Sequence, residues 1–214
     1  MVKISNKRLL SLILSFFTMI LTITGIINPA VKPFVPSEII IDPQNVDMMT
    51  IIENGLSDYI IIKGVNASPS ENNAANILQN YLEQISGVRL PVANDETNET
   101  NHEIIVGKTN REGKNYFIDR DKLGENGLTV RTVGEKLVIA GSELRGTLYG
   151  VYTFLEEILG CHWYTSSLTI IPKSEKVEIP AKISIEQIPA FEFRETDWIS
   201  PQINGVSIAC FTVY

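Results

Sequence analysis

The sequence predicts an α+β domain: a mixed β-sheet with two amphipathic helices packed on one face, preceded by an N-terminal signal or anchor helix. Three observations predict it. Two segments repeat apolar side chains at helical spacing, and short β-branched runs lie around and between them. The first thirty residues are unlike the rest: a basic start and then an uncharged apolar run. The composition is that of a folding chain, with 44% hydrophobic and 20% charged residues. A length of 214 residues allows one domain and a fraction. It excludes a small domain joined to a complete eight-fold β/α barrel, which alone needs roughly 250 residues.

Residues 1–30 read as an address. Lys3, Lys7 and Arg8 precede Leu9–Ile27, nineteen residues without a charge. That is the layout of a secretory signal, and the run is also long enough to span a bilayer as a helix. Both outcomes, cleaved signal and retained anchor, send the remainder outward, because the basic residues stay cytoplasmic. The 18 Lys and Arg side chains fall to 15 without Lys3, Lys7 and Arg8, against an unchanged 25 Asp and Glu, leaving a balance of −10. An acidic body with no basic stripe argues against nucleic acid as a partner.

The elements follow in order. Residues 31–37 are an extended linker with two prolines, and Glu38–Ile41 is apolar enough for a short strand. Asp58–Lys63 has the β-branched richness of a buried strand. Ser68-Pro69-Ser70-Glu71 starts a helix: Ser68 caps, Pro69 takes the first helical position and Glu71 completes a capping box. Ala74, Ile77, Leu78, Tyr81, Leu82 and Ile85 form its apolar stripe, and Gly87 ends it, giving a helix over 69–86. Val88–Val92 and Glu103–Val106 are strands on either side of a polar loop. Residues 108–127 read as polar and irregular. Leu128–Val133 and Lys136–Ala140 form a hairpin across Gly134-Glu135.

A second helix is expected from Ser142, with Glu143 at its positive end and Leu144, Leu148, Val151, Tyr152, Leu155, Ile158 and Leu159 on its buried face. Gly146 and Gly150 interrupt it, and close approach to a strand is the expected reason for both. Gly160 closes the helix. Strands are then expected at Leu168–Ile171, Lys176–Ile179 and Lys182–Ile185.

Most site chemistries fail on spacing. His102 and His162 stand far apart with no HxxxH or CxxC pattern, so no metal site is expected. No GxxxxGK or GxGxxG follows a strand, and no GxSxG elbow appears; no cofactor is expected. Cys161 and Cys210 are too few for a disulfide scaffold. Cys161 reads as a buried small hydrophobe, with a bridge to Cys210 as the alternative. Glycoside hydrolysis needs two carboxyl groups flanking one bond. Glu156-Glu157 diverge by about 100° on a helix, and Asp95-Glu96, Asp119 and Asp121 read as solvated surface charge. Two triplets, Asn66-Ala67-Ser68 and Asn98-Glu99-Thr100, match the glycosylation acceptor pattern but occur too often by chance to carry weight.

The stretch Leu137–Gly141, Arg145-Gly146-Thr147-Leu148-Tyr149-Gly150, Leu159-Gly160-Cys161-His162-Trp163-Tyr164 and Ile171-Pro172 is distinctive. It resembles the second half of the accessory domain that precedes the catalytic barrel in bacterial β-N-acetylhexosaminidases of glycoside hydrolase family 20, in α-glucuronidases of family 67, and in related secreted proteins with an uncharacterised barrel. Pro189-Ala190-Phe191-Glu192-Phe193-Arg194 resembles the entry into the first barrel strand of those enzymes. The resemblance implies that Arg194 binds substrate, its planar fork matching adjacent sugar hydroxyls. Glu195 stands where the hexosaminidase pattern has glycine, which points toward the uncharacterised relatives.

What the resemblance implies is a division into a signal peptide or membrane anchor at 1–30, an accessory domain at 38–185, and a truncated start of a catalytic barrel at 186–214. The expected function is that of a non-catalytic accessory domain of an exported glycoside hydrolase, secreted or at the cell surface and inactive alone. Its expected partner is the catalytic barrel domain; membrane contact is expected only through residues 9–27. The alternative is a surface-anchored module that binds carbohydrate or protein, with Trp163-Tyr164 and Trp198 as its aromatic platform.

Overall fold

The computed structural model describes residues 47–189 except Asn115, Glu143 and Ser166. The expected strand at Glu38–Ile41, the apolar run Leu9–Ile27 and the segment carrying Arg194 and Trp198 lie outside the described residues. Among the described residues no helix is long and apolar enough to cross a membrane.

Strands β1 (Met48–Glu53) and β2 (Ile60–Lys63) come first, joined through the tight turn Asn54-Gly55, where both residues have positive φ. Helix α1 follows at Pro69–Ser86, the span that the capping signals predict. The Ser68 hydroxyl accepts from the Glu71 N–H at 3.2 Å, and the Ser68 N–H donates to the Glu71 carboxylate at 2.8 Å. Gly87 turns left-handed at φ 78° and donates to the Glu83 carbonyl. Ala74, Ala75, Leu78, Leu82 and Ile85 fill the core, while Asn73, Asn76, Asn80 and Gln84 face out.

Then come β3 (Val92–Asn94), β4 (Glu103–Val106), a one-turn helix α2 (Arg120–Leu123), and the hairpin of β5 (Leu128–Val133) with β6 (Lys136–Gly141). Helix α3 (Gly146–Thr153) runs into a π-helical turn, Phe154–Ile158. A second hairpin, β7 (His162–Thr165) with β8 (Leu168–Ile170), precedes β9 (Lys176–Pro180) and β10 (Ser184–Gln187).

The main sheet has six strands in the order β10-β5-β6-β4-β2-β3. Strands β3, β2, β4 and β6 are parallel; β5 and β10 are antiparallel to their neighbours. Strand β1 pairs with β9 outside it, and β7 with β8. Helices α1 and α3 pack side by side on one face, as predicted. Between them and the sheet lie Ile61, Leu78, Leu82, Ile104, Leu137, Ile139, Val151, Phe154, Leu155 and Cys161, all fully or nearly fully buried.

Three expectations change. First, residues 108–127 are not merely a loop. Tyr116, Ile118 and Leu123 cover Ile105, Val138 and Ala140 on the opposite face of the sheet. A parallel sheet needs cover on both sides, and this segment provides it. Second, the helix after β6 starts at Gly146 rather than Ser142. The Ser142 hydroxyl donates to the Glu125 carbonyl and its N–H to the Gly127 carbonyl, so it ties down the loop before β5 and is not a cap. Third, the strand expected at Val88–Val92 is observed at Val92–Asn94, the one expected at Lys182–Ile185 at Ser184–Gln187, and β1 and β7 were not expected.

Candidate functional site

Ligands of open sheets with parallel strands bind outside the carboxyl ends of the strands, where the strand order reverses. Here that point lies at β2: the chain passes from β2 to β3 on one side, then crosses to β4 on the other. A crevice of about 720 Å³ occupies it, lined by Gly64–Asn66, Ser68 and Glu71 after β2, Asp95 after β3, Lys108–Asn110 after β4, and Gly141 and Leu144 after β6, with Arg120 at the rim.

The three neighbouring strands end alike, in Lys63-Gly64, Val106-Gly107 and Ala140-Gly141. Each glycine is needed for a close approach within the chain. A β-carbon on Gly64 would lie 2.4 Å from the Lys108 carbonyl oxygen, and one on Gly141 2.2 Å from the Gly146 backbone. One on Gly107, whose φ is +80°, would lie 2.3 Å from the Glu71 carboxylate. Glu71 therefore does more than complete the capping box: its second oxygen accepts from the Lys108 N–H at 2.8 Å. Asp95 is buried rather than solvated, correcting the expectation from its polar loop. Its two oxygens accept from the Val65 N–H at 2.8 Å and the Asn110 N–H at 2.7 Å. At the rim, the Arg120 guanidinium is held bidentately by Glu112 at 2.7 and 2.9 Å.

The other charged cluster lies under the 107–124 segment. Glu103 is fully buried and accepts from Arg111 at 3.0 Å, Lys136 at 3.0 Å and the Thr100 N–H at 3.1 Å. Burial pushes its carboxyl up, but these donors together outweigh burial and hold it below the ordinary range. Glu99, bonded to Lys136 and Lys114, is held down to about 2. A glycosidase acid must stay protonated near neutral pH; neither of these carboxyls does. The cluster anchors a loop, and the sequence offered no signal for it beyond the isolated charges.

The remaining candidates separate. His102 tilts over Tyr59 with ring centroids 5.1 Å apart and approaches Glu135 at 3.7 Å; His162 approaches Glu156 at 3.8 Å. Among the described residues no group of three or more His, Cys, Asp or Glu side chains gathers as metal ligands. Cys161 is buried and free, and burial pushes its thiol up to about 11, which leaves it inert. Trp163 is no open platform. Tyr81 and Tyr152 meet it edge-on at 5.5 and 5.2 Å, and its indole N–H donates to the Tyr81 hydroxyl at 2.7 Å. Arg194 lies outside the described residues.

The surface has one apolar feature beyond scattered side chains. In the β7–β8 hairpin Tyr164, Leu168 and Ile170 are 58%, 52% and 46% exposed, and the His162 ring lies beside Tyr164. Leu148, Tyr149 and Tyr152 of α3 are only half-buried.

Residues 53–154 match the family described as Glycosyl hydrolase family 67 N-terminus. Among solved structures the chain is similar to a family GH115 4-O-methyl-alpha-glucuronidase with specificity for decorated arabinogalactans, at TM-score 0.44 and 20% identity over 65% of this chain and 18% of that one. It is similar to the GH20 beta-N-acetylhexosaminidase of Streptomyces coelicolor at TM-score 0.46 and 18% identity, over 70% of this chain and 25% of that one. For the chitobiase of Flavobacterium johnsoniae the TM-score is 0.43 at 16% identity, over 70% and 20%. The chain thus spans a quarter or less of the length of these enzymes. No curated protein matches it.

Proposed function

From the premise that residues 53–154 match an N-terminal accessory domain of glycoside hydrolases, we propose that this chain is the non-catalytic accessory part of an exported glycoside hydrolase and that it buttresses a catalytic barrel. The observation that carries the reading is an absence of acid chemistry beside a surplus of apolar surface. Among the described residues the two perturbed buried or half-buried glutamates are both held ionised. Meanwhile the β7–β8 hairpin and the outer side of α3 leave Tyr164, Leu168, Ile170, Tyr149 and Tyr152 partly or largely uncovered. A helix apolar on all sides belongs between two layers, and here only one layer is provided by the domain itself.

Export rests on Lys3, Lys7 and Arg8 ahead of Leu9–Ile27, and places the protein outside the cytoplasm or at the cell surface. Arg194 is the side chain proposed to reach a sugar, on the resemblance of Pro189–Arg194 to a barrel entrance. The test begins with the DNA beyond codon 214, where a barrel-coding frame is expected, in frame or one base shifted. In the domain joined to that barrel, Leu168→Asp with Ile170→Asp should separate the two into independent unfolding transitions. Absence of a barrel-coding frame, or turnover of aryl glycosides by residues 31–214 alone, would sink the proposal.

A further inference from the structure

The crevice at the ends of β2, β4 and β6 lies where open α/β sheets hold anionic ligands: the amino end of α1, an 18-residue helix, opens onto it beside exposed backbone amides. Four of those N–H groups belong to the loops after β2 and β4. Val65 and Asn110 donate to Asp95; Ser68 and Lys108 donate to Glu71. Each carboxylate spans the two loops, one oxygen to each. Gly107, at a φ that side chains rarely adopt, packs directly on the Glu71 oxygens. We propose that Glu71 and Asp95 are built-in anions: the domain is a self-liganded, latched form of a strand-end oxyanion site. The two carboxylates hold the crevice shut to external oxyanions and staple the helix layer to the loop layer across the edge of the sheet.

The chemistry favours this over a simple helix cap. A capping box needs only the contact between Glu71 and Ser68. The bond from Lys108, 37 residues away, and the parallel arrangement of Asp95 answer to a second task. The positive side chain at the rim, Arg120, is already neutralised by Glu112, so it offers an incoming anion no unpaired charge. The inference does not rest on the docking face described above and stands or falls separately from it.

The experiment uses the full chain, with inorganic phosphate as probe and sodium chloride at matched ionic strength as control. The unsubstituted chain should show no saturable shift in melting temperature with phosphate. Glu71→Ala should melt on the order of 5 °C lower, the effect expected for losing charge-assisted hydrogen bonds in a domain of this size. Millimolar phosphate should restore part of that loss saturably, where chloride does not. Asp95→Ala should behave likewise, which keeps the test alive if Glu71→Ala does not fold. Glu71→Gln, with one acceptor oxygen, should fall between and respond less. A saturable phosphate shift in the unsubstituted chain, or Ala variants as stable as it, overturns the proposal. So do Ala variants that phosphate and chloride affect equally.

Discussion

Helices α1 and α3 lie side by side on one sheet face, yet they are built on opposite plans. Helix α1 is complete in itself. It is capped at both ends by its own sequence, buries one stripe, and turns a row of amides, Asn73, Asn76, Asn80 and Gln84, to water. Helix α3 has no side-chain cap among the described residues. It presses two glycines against the sheet, turns Tyr149 and Tyr152 outward, and loosens into a π turn before Gly160. The difference teaches where a domain ends. A helix that finishes its own polar face needs no further neighbour; one that is flush on the inside and apolar on the outside is half of a sandwich.

Substitutions can break or sharpen that contrast. The largest effect is expected in α1. Leu78→Ala removes a fully buried side chain from the middle of the stripe and should cost about 2–5 kcal/mol in denaturant unfolding. In α3 the corresponding weak point is a glycine. A β-carbon at Gly146 would meet the Gly127 carbonyl oxygen at 2.1 Å, a backbone atom that cannot swing away. Gly146→Ala should therefore cost about 1–3 kcal/mol despite alanine's better helix propensity. Ser68→Ala removes the cap of α1 and should cost about 1 kcal/mol. Gly150→Ala should be nearly neutral. Its β-carbon would sit 3.0 Å from a methyl of Ile139, a tight contact that the gain of about 1 kcal/mol in propensity offsets. Equal losses at Gly146 and Gly150 would erase the distinction between backbone and side-chain contact on which the account of α3 rests.

Buried charge adds a pH dependence. The carboxyl of Glu103 is held below its ordinary range in the folded chain. Its contribution is thus fully present above the unfolded pKa and is lost as pH falls through the folded one. Acid titration of stability should show this loss, and Glu103→Gln should flatten the slope while lowering stability at neutral pH.

The local parts of this fold were legible because their signals are local. The capping box and Gly87 place α1 at 69–86, and the strands Glu103–Val106 and Leu128–Val133 carry their own β-branched pattern. What could not be read depends on distant partners. Tyr116, Ile118 and Leu123 are too sparse to announce a covering layer, and only Val138 and Ala140 make them one. Ser142 looks like a cap until the Glu125 carbonyl claims its hydroxyl. Asp95 sits in a run of polar residues, and its burial follows from amides thirty residues before it and fifteen after. The glutamate of the capping box was visible; its second bond, to Lys108, was not.

The pairing of β1 with β9 sets a clock. Met48 lies opposite Pro180, and Ile51 and Ile52 of β1 enter the core beside Val177 and Ile179 of β9. Strand β1 is made first and its partner nearly last. At about 5–20 residues per second the wait is on the order of ten seconds. Throughout that interval Met48-Met49-Thr50-Ile51-Ile52 is an unpaired apolar strand. For a chain leaving the cell unfolded, β1 is the segment that most needs an escort until residue 180 has emerged.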